Sequence, residues 1–368
     1  MRVLVTGSAG FIGKNVVVRL GEVGGHQVLP FDRETPAGDL AGLVGRCDAI
    51  IHLAGVNRPQ SVSEFAKGNR DFTARLCEAI AGTGKPIPLV VASSIQADQA
   101  NPYGTSKREA EEAAVRLAET TGNPVAIYRL PNVFGKWCRP NYNSVVATFC
   151  HNLANDLPIQ INDPAALLSL VYVDDVVDEF IRVIGRLPPG ISRCDVAPVY
   201  RTTVGDLAAQ IRAFTDSRAS LITERVGSGF VRALYATYVS YLPTAKFAYR
   251  LPRYGDERGA FVEVLKTKDS GQFSFFTAHP GITRGGHYHH SKSEKFLVIK
   301  GQACFGFRHL LTGERFQVYT DGGLPQVVET VPGWAHDITN VGDEEMLVLL
   351  WANEIFDRAR PDTMAAEV

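Results

Sequence analysis

The strongest constraint on the fold is a glycine-rich turn at the start of this 368-residue chain. Val3-Leu4-Val5 predicts a short buried strand, and an amphipathic segment follows the turn. Between them Gly7 suits a tight turn, Gly10 lets a pyrophosphate approach the backbone, and Gly13 lets the helix pack on the strand. Free N–H groups at the helix start attract the anion. The pattern predicts a dinucleotide site formed by Gly7, Gly10, Phe11, Ile12 and Gly13.

Two further strand ends extend the predicted dinucleotide site. The strand Gln27–Phe31 ends in Asp32-Arg33. An acid at this position bonds the ribose 2′-hydroxyl of NAD, whereas an arginine accepts the 2′-phosphate of NADP, so the pair is ambivalent. Another strand ends in His52, which we interpret as a packed residue, and small residues follow it. We therefore add Asp32, Arg33, Leu53, Ala54 and Gly55 to the cofactor site.

A candidate catalytic trio follows the apolar run Pro88–Ala92, at Ser94, Tyr103 and Lys107. In a helix Tyr103 and Lys107 lie one turn apart, and the lysine ammonium is expected to lower the pKa of the phenol. A serine hydroxyl can hold a carbonyl or alkoxide oxygen. Such a trio can protonate an oxygen while a nicotinamide gives hydride to the carbon. The alternative is a surface tyrosine beside a solvated lysine.

Composition excludes several classes of protein. Hydrophobic residues make up 45% and charged residues 21% of the chain, as in ordinary globular proteins, and the net charge of −1 argues against nucleic acid as a partner. No signal peptide and no apolar run of membrane-spanning length is visible. Six scattered cysteines without a C-x-x-C pair fit a reducing compartment. We expect a cytoplasmic protein without a membrane partner.

The composition changes after the break at Leu187–Gly190, and from Gly259 onward strand signals dominate. Turns separate these strands, and no long helix interrupts them, which predicts a small antiparallel sandwich or barrel. We place an NAD(P)-binding domain at residues 1–248 and a second domain at 249–368. The predicted strands of the second domain are 260–265, 272–278, 294–299, 302–307, 315–319, 326–331 and 345–351.

A candidate metal site lies in the second domain. His287, His289 and Glu294 are followed by His336, with the H-x-H-x4-E-x6-G and H-x3-N spacing that resembles the two cupin motifs. On a strand His287 and His289 point to the same side, as a shared metal requires. Three imidazoles and a carboxylate suit zinc, or another divalent metal such as iron or manganese. The alternative is a metal-free site whose histidines do acid–base work.

Residues 1 to about 183 resemble the extended short-chain dehydrogenase/reductase family of sugar-nucleotide epimerases, dehydratases and reductases. The resemblance implies catalytic roles for Ser94, Tyr103 and Lys107, and a contact of Lys107 with the nicotinamide ribose. Family members that dehydrate carry acid–base side chains just after the catalytic serine or threonine. Ile95 and Gln96 stand there and cannot shuttle protons, which favours a reductase. The motifs that carry the resemblance are Thr6–Gly13, His52–Gly55, Ser93-Ser94, Tyr103–Lys107, Tyr128–Gly135 and Val171–Val176.

The same family binds its sugar nucleotide in the loop after Gly135. Arg139, Asn141 and Asn143 in this loop are candidate substrate ligands, because arginine and asparagine can hold phosphate and sugar hydroxyls. An ordinary polar loop is the alternative. We interpret Asp174-Asp175 as the start of a helix rather than a metal pair.

The whole chain resembles the CapF/WbjC group of capsular and O-antigen biosynthesis enzymes, and the expected fold is a Rossmann-like doubly wound parallel sheet followed by a C-terminal all-β cupin. The resemblance implies C3 epimerisation of UDP-2-acetamido-2,6-dideoxy-hexos-4-ulose by the cupin. Reduction at C4 with NADPH then gives UDP-2-acetamido-2,6-dideoxy-L-talose; NAD stays open because of Asp32. It also implies zinc and a homodimer. The group's segments here are Asn101–Gly104, Phe134–Cys138, Pro140–Val145, Ala147–Cys150 and Lys295–Val298.

Two other functions remain open at this point. The chain could be a reductase whose cupin only stabilises, dimerises or binds substrate, or a 4-epimerase with tightly held NAD. The proton-transfer base of the cupin is equally undecided, because spacing does not separate Tyr288, His290, Lys295 and Asp337.

Overall fold

The computed structural model of the chain describes residues 1–359 and 361–368. They form two compact units, Met1–Ile211 with Arg232–Pro243, and Arg212–Val231 with Thr244–Val368. The domain boundary at 248/249 stays a prediction, and residues 212–231 group with the C-terminal unit. In the described part of the chain, no helix combines the length and apolarity that crossing a bilayer requires.

The first unit is built on a parallel sheet. Six strands form this sheet in the order β2, β1, β3, β4, β5, β8. This arrangement confirms the predicted doubly wound α/β domain. A smaller sheet has the order β6, β7, β9. The strands are β1 (Arg2–Thr6), β2 (Gln27–Phe31), β3 (Ala49–His52), β4 (Leu89–Ser94), β5 (Val125–Leu130), β6 (Asn132–Phe134), β7 (Leu167–Tyr172), β8 (Ile191–Cys194) and β9 (Tyr200–Thr203).

Helices cover both faces of the parallel sheet. Val3 and Val5 of β1 pack with α1 and α7 in one core, whereas Leu4 packs with α2, α4 and α5 in the other. Successive strand residues point to opposite faces, so a strand covered on both sides is apolar throughout. The helices are α1 (Phe11–Val23), α2 (Asp39–Arg46), α3 (Ser63–Phe65), α4 (Phe72–Gly82), α5 (Pro102–Thr121), α6 (Val145–Ala154), α7 (Val173–Ile184), α8 (Val204–Ser220) and α9 (Gly229–Val239).

The second unit consists mainly of two antiparallel sheets around an apolar core that includes Phe276, Phe296, Phe305 and Ile338. One sheet has the order β10, β12, β13, β20, β15, β18, with β11 beside β12, and the other β17, β16, β19, β14, β21. This confirms the expected cupin-like all-β fold. The strands are β10 (Ile222–Thr223), β11 (Tyr254–Asp256), β12 (Gly259–Thr267), β13 (Gly271–Ala278), β14 (Thr283–Tyr288), β15 (Glu294–Lys300), β16 (Gln302–His309), β17 (Arg315–Asp321), β18 (Val327–Thr330), β19 (Trp334–Asn340), β20 (Met346–Ala352) and β21 (Met364–Ala365).

Candidate functional site

The catalytic candidates lie where β4 ends and α5 begins. Asn101 caps α5, and its side-chain oxygen accepts the N–H of Gly104 at 2.8 Å. A Cβ at Gly104 would lie 2.2 Å from the carbonyl oxygen of Gln96, so only glycine allows α5 to approach the turn that follows β4 this closely. This approach brings Tyr103 next to Ser94. The pattern analysis did not single out Gly104.

Ser94, Tyr103 and Lys107 converge at the carboxyl end of β4. The hydroxyl of Ser94 lies close enough to the phenol of Tyr103 to lower its pKa, and it accepts the N–H of Gln96 at 3.2 Å. Lys107 donates from Nζ to the carbonyl oxygen of Ala92 at 2.7 Å. The structure therefore brings the three predicted residues together, and their catalytic roles stay predictions.

The expected effect of Lys107 on the phenol is wrong in this structure. Burial raises the pKa of Tyr103, and the nearby Ser94 hydroxyl only partly offsets that shift. The Lys107 ammonium is instead committed to the Ala92 carbonyl, and burial lowers the pKa of Lys107 to about 8, while the charge of Glu111 acts in the opposite direction. The phenol is thus protonated at neutral pH, as a proton donor must be.

A buried ion pair supports the trio from the opposite face of β4. Ser93 donates to Glu111 Oε1 at 2.5 Å, and Arg129 bonds both carboxylate oxygens of Glu111 at 2.7 to 3.1 Å. These bonds lower the pKa of the Glu111 carboxyl against the effect of its burial. Sequence reasoning missed this group, because its members come from β4, α5 and β5.

The glycine-rich turn has the shape that a pyrophosphate requires. Gly7 has a φ of +71° and donates its N–H to Phe31 O at 2.7 Å. A Cβ at Gly13 would lie 2.1 Å from Gly7 O, so the turn can fold only with glycine there. Phe11 and Ile12 open α1 directly after Gly10, which leaves their N–H groups at a helix N-terminus. The residues present therefore fit a dinucleotide.

The two residues that follow β2 beside this turn, Asp32 and Arg33, differ in how their side chains are engaged. The carboxylate of Asp32 accepts hydrogen bonds from the Ser8 hydroxyl at 3.3 Å, the Glu34 N–H at 3.0 Å and the Thr35 hydroxyl at 3.3 Å. Arg33 is exposed. Asp32 is thus partly committed to its own turn, whereas the guanidinium of Arg33 is accessible.

Asn69 organises the loop after β3, which contains Leu53, Ala54 and Gly55. Its side chain accepts the Val56 N–H at 2.8 Å and donates to Val56 O and Ser106 Oγ, each at 2.9 Å. Asn69 lies inside a π-helical segment, Ala66–Asp71, which follows α3. Such local widening is frequent at functional sites, and here it aims a buried amide at the loop.

His52 is a packed residue, as interpreted. Its ring lies between the hydroxyls of Thr6 at 2.7 Å and Thr73 at 2.9 Å. Burial, with a smaller contribution from the charge of Lys107, lowers the pKa of His52 to about 3. The imidazole is therefore neutral at physiological pH.

The predicted substrate loop presents cations around one aromatic ring. Arg139 lies 5.1 Å and Arg58 lies 5.8 Å from the ring centre of Tyr142, and Arg58 also donates to the Tyr142 carbonyl. Asn141 and Asn143 are exposed in the same loop. Sequence analysis missed Arg58, because it belongs to the distant loop after β3. Both guanidiniums suit a phosphate-bearing ligand.

Asp174 and Asp175 lie in the first turn of α7, as interpreted. Asp174 forms an ion pair with Lys136.

The four predicted metal ligands form one buried cluster in the second unit. One ligand atom from each of His287, His289, Glu294 and His336 lies within 4.8 Å of the other three. His287 belongs to β14, Glu294 opens β15, and His336 lies on β19. The assumption that His289 shares the strand of His287 is wrong, because β14 ends at Tyr288 after a bulge between Gly285 and His287. The ring centres of the two histidines still lie 4.8 Å apart.

The donor atoms of this cluster fit a divalent cation. His289 Nδ1 lies 2.5 Å from the carbonyl oxygen of Asp362, which can only accept, so Nδ1 carries the proton. In the neutral ring Nε2 then presents a lone pair to Glu294 Oε2 at 3.0 Å, and two acceptors face each other. His336 Nε2 is buried without a hydrogen-bond partner among the described residues. Burial, followed by the charges of His336 and His289, lowers the pKa of His287 to about 4, which keeps this ring neutral.

The candidate proton-transfer residues lie outside this cluster. Tyr288, Lys295 and Asp337 each follow a ligand directly along the chain, and His290 is exposed. Lys295 pairs with Glu329, and Asp337 accepts the Gly306 N–H at 3.2 Å. The structure instead places the buried ammonium of Lys292 3.1 Å from Glu294 Oε1. Spacing gave no signal for Lys292.

Comparison with known proteins agrees with this arrangement. The family model described as "NAD dependent epimerase/dehydratase family" matches residues 3–192, and "Polysaccharide biosynthesis C-terminal domain" matches residues 254–364. The UDP-2-acetamido-2,6-beta-L-arabino-hexul-4-ose reductase of Pseudomonas aeruginosa is 58% identical over 369 residues, which cover 100% of this chain and 99% of that protein.

Solved structures show the same similarity. The capsular polysaccharide assembling protein CapF of Staphylococcus aureus superposes with a TM-score of 0.92 at 41% identity, over 100% of both chains. WbmF of Bordetella bronchiseptica, in complex with NAD+, shares the fold of 58% of this chain and 78% of WbmF, with a TM-score of 0.53 at 23% identity. The resemblance to the CapF/WbjC group is confirmed. The chain belongs to the NAD dependent epimerase/dehydratase family and carries a polysaccharide biosynthesis C-terminal domain.

Proposed function

We propose that this chain is a bifunctional sugar-nucleotide enzyme. The C-terminal unit inverts C3 of UDP-2-acetamido-2,6-dideoxy-hexos-4-ulose, and the first unit reduces the C4 ketone with NADPH to UDP-2-acetamido-2,6-dideoxy-L-talose. The observation that carries the reductase half is the convergence of Ser94, Tyr103 and Lys107 at the end of β4, beside a glycine turn that fits a dinucleotide. Full-length similarity to a UDP-sugar 4-ulose reductase supports the same substrate class.

In the reductase, each member of the trio has a distinct part. Tyr103 is protonated at neutral pH and gives its proton to the C4 oxygen. Ser94 holds that oxygen, and Lys107 positions the cofactor ribose. The bound nicotinamide supplies the hydride. Gly7, Gly10, Phe11, Ile12 and Gly13 hold the pyrophosphate, and Arg139, Asn141 and Asn143 hold the sugar nucleotide.

NADPH is the proposed reductant because of the contrast between Asp32 and Arg33. The Asp32 carboxylate accepts three hydrogen bonds from its own surroundings, while Arg33 is exposed and available to a 2′-phosphate. NAD remains the alternative, because the Asp32 carboxylate could bind its ribose 2′-hydroxyl.

In the epimerase half, the C4 ketone acidifies the C3 proton, so a base can remove it and the opposite face can be reprotonated. His287, His289, Glu294 and His336 would hold zinc or another divalent cation. Such an ion supplies a positive charge that can polarise a carbonyl or hold the strands together. Lys292, at the edge of this cluster, is paired with Glu294 and holds the carboxylate in place.

A homodimer is part of the proposal. Phe273 and Val327, 40% and 55% exposed, line an apolar surface with Leu297, Leu349 and Trp351 on the outer face of β13, β20, β15 and β18. A second copy of the chain is the proposed occupant, since a two-fold axis pairs the same apolar patch with itself. Val327→Asp is expected to give a monomer in sedimentation, and a dimer that persists would contradict this surface. A cytoplasmic location stays a prediction from the sequence.

Incubation of the 4-keto UDP-sugar in D2O, with and without NADPH, tests the two activities together by NMR. We expect deuterium at C3 in both reactions, and a reduced C4 only with NADPH. Tyr103→Phe should abolish reduction while C3 exchange continues, whereas His336→Ala should abolish exchange.

Each other result identifies a different function. A reduced product without deuterium at C3 would remove the epimerase half and leave a reductase with a stabilising C-terminal unit. Interconversion of UDP-sugars that differ only at C4, without net NADPH consumption, would identify a 4-epimerase. Absence of reduction would overturn the proposal for the first unit.

A further inference from the structure

The C-terminal segment of the described chain is built around the metal-ligand cluster. Asp362 touches this cluster through its backbone, where its carbonyl oxygen accepts a hydrogen bond from His289 Nδ1 at 2.5 Å. That bond fixes the tautomer of His289 and leaves Nε2 free to act as a ligand. The partner is 73 positions away along the chain.

The side chain of Asp362 holds the turn that follows His289. Its carboxylate accepts the N–H groups of His290 at 2.8 Å, Ser291 at 2.7 Å and Lys292 at 2.8 Å, and the Ser291 hydroxyl at 3.0 Å. Four donors converge on one carboxylate, and the backbone bonds in particular hold the pKa of Asp362 well below its usual range. The conformation of the turn between His289 and Glu294 therefore depends on Asp362.

The turn between His289 and Glu294 also positions the carboxylate of Glu294. Lys292 is buried, and its ammonium lies 3.1 Å from Glu294 Oε1 and 3.4 Å from the Thr363 hydroxyl. This leaves the other oxygen, Oε2, facing His289 and His336. Lys292 thereby holds one carboxylate oxygen of Glu294, and the other stays directed at the histidines.

The residues after Asp362 support the remaining strand of the site. β21 pairs with β14, and Ala365 lies opposite His287 while Met364 lies opposite Tyr288. The N–H of Ala366 also donates to Gly286 O at 3.0 Å. This backbone pairing fixes the position of His287 along β14 and the direction in which its side chain points.

We infer that the segment Asp362–Ala365 completes the metal site, with Asp362 as a positioning residue for His289 and Glu294. Cation binding and ordering of this segment are then coupled, so each stabilises the other. The inference rests on the proposed metal site. It goes beyond the four ligands, because it makes the affinity of the site depend on a distant stretch of chain.

Zinc binding to the full chain tests the inference. The variants are Asp362→Ala and Asp362→Asn, and the matched control is Asp343→Ala, which removes an exposed carboxylate from the same unit. Competition with a chromogenic chelator measures the affinity. We expect Asp362→Ala to weaken zinc binding by about 10- to 100-fold, the usual effect of losing an outer-shell partner. Asp362→Asn, which keeps one acceptor oxygen, should lie between Asp362→Ala and the unchanged control.

Hydrogen exchange on the wild-type chain gives a second readout that needs no variant to fold. Zinc should slow exchange at Ser291, at Lys292 and within residues 362–366, because the coupled segment is held more tightly. Unchanged exchange there, or an Asp362→Ala variant that binds zinc as tightly as wild type, would overturn the inference. Failure of the wild type to bind zinc at all would instead remove the proposed metal site.

Discussion

The hydroxyl of Ser93 donates a 2.5 Å hydrogen bond to the buried carboxylate of Glu111, on the side of β4 opposite the candidate active site. The hydroxyl of its neighbour Ser94 lies on the other side of the strand and acts on the phenol of Tyr103. Because successive strand residues point to opposite faces, two identical side chains that are adjacent in sequence acquire different tasks.

Substitution of each serine separates these tasks. Ser94→Ala should lower kcat of the reductase by about 10²- to 10³-fold, the usual effect of losing one donor to a developing oxyanion. Its loss of stability should stay at about 1 kcal/mol, from the missing hydrogen bond to the Gln96 N–H. Ser93→Ala should reduce the free energy of unfolding by about 1–3 kcal/mol, because Glu111 loses a buried donor. Steady-state NADPH oxidation and thermal unfolding of both variants measure the difference. Equal losses of activity in the two variants would contradict the division.

The lowered pKa of Lys107 predicts an alkaline limit for the reductase. Its pKa of about 8 means that the ammonium is present below that pH and is lost as the pH rises through it. We expect kcat/KM to fall above about pH 8. Lys107→Arg stays charged and should retain a lower activity without this fall.

The control for this pH profile is Lys85→Arg, an exposed lysine outside the site. It should show the wild-type profile. If kcat/KM of Lys107→Arg fell at the same alkaline pH as in the wild type, the fall would belong to another group.

Removal of Arg33 should separate the two nicotinamide cofactors. Arg33→Ala is expected to raise KM for NADPH by about 10- to 100-fold, because a charge-assisted bond to the 2′-phosphate is lost. KM for NADH should change little. Initial rates with each cofactor provide the measurement, with Arg46→Ala, at the end of α2, as the control. An equal change for NADPH and NADH would show that Arg33 does not contact the phosphate.

His52 should make the first unit sensitive to acid. Its pKa is lowered to about 3 in the folded chain, whereas an unfolded chain takes up the proton near pH 6.5. The contribution of the neutral His52 to the free energy of unfolding is therefore fully present above pH 6.5 and is lost as the pH falls toward 3. Between pH 8 and pH 5 the loss is about 2 kcal/mol. His52→Gln should reduce the slope of unfolding free energy against pH in this range, and an unchanged slope would contradict the assignment.

Local sequence patterns predicted those parts of the molecule whose chemistry is concentrated in short stretches. Gly7 and Gly13 lie in one turn, Tyr103 and Lys107 in one helix, and His287 and Glu294 within eight residues, so spacing alone indicated their sites. The hydrophobic pattern found seven strands of the second unit. It did not indicate β14, whose residues Thr-Arg-Gly-Gly-His-Tyr lack apolar alternation.

Groups that support the sites were not predictable in this way. Glu111 meets Arg129 across two elements, Asn69 reaches the loop after β3 from a π-helical segment, and Asp362 contacts a turn about 70 positions earlier. Each contact depends on tertiary folding, and none leaves a periodic pattern in the sequence. Burial likewise decided that the pKa of Tyr103 is raised, whereas the neighbouring charge of Lys107 had predicted that it would be lowered.

The pairing of β21 with β14 also bears on how the protein is prepared. Val368 lies only three residues beyond Ala365. A polyhistidine tag attached there would bring competing imidazoles close to the histidine cluster and would pull on the strand opposite His287. Zinc content measured on such a fusion would report the tag together with the protein. An affinity tag without metal ligands, or a cleavable one, avoids this error.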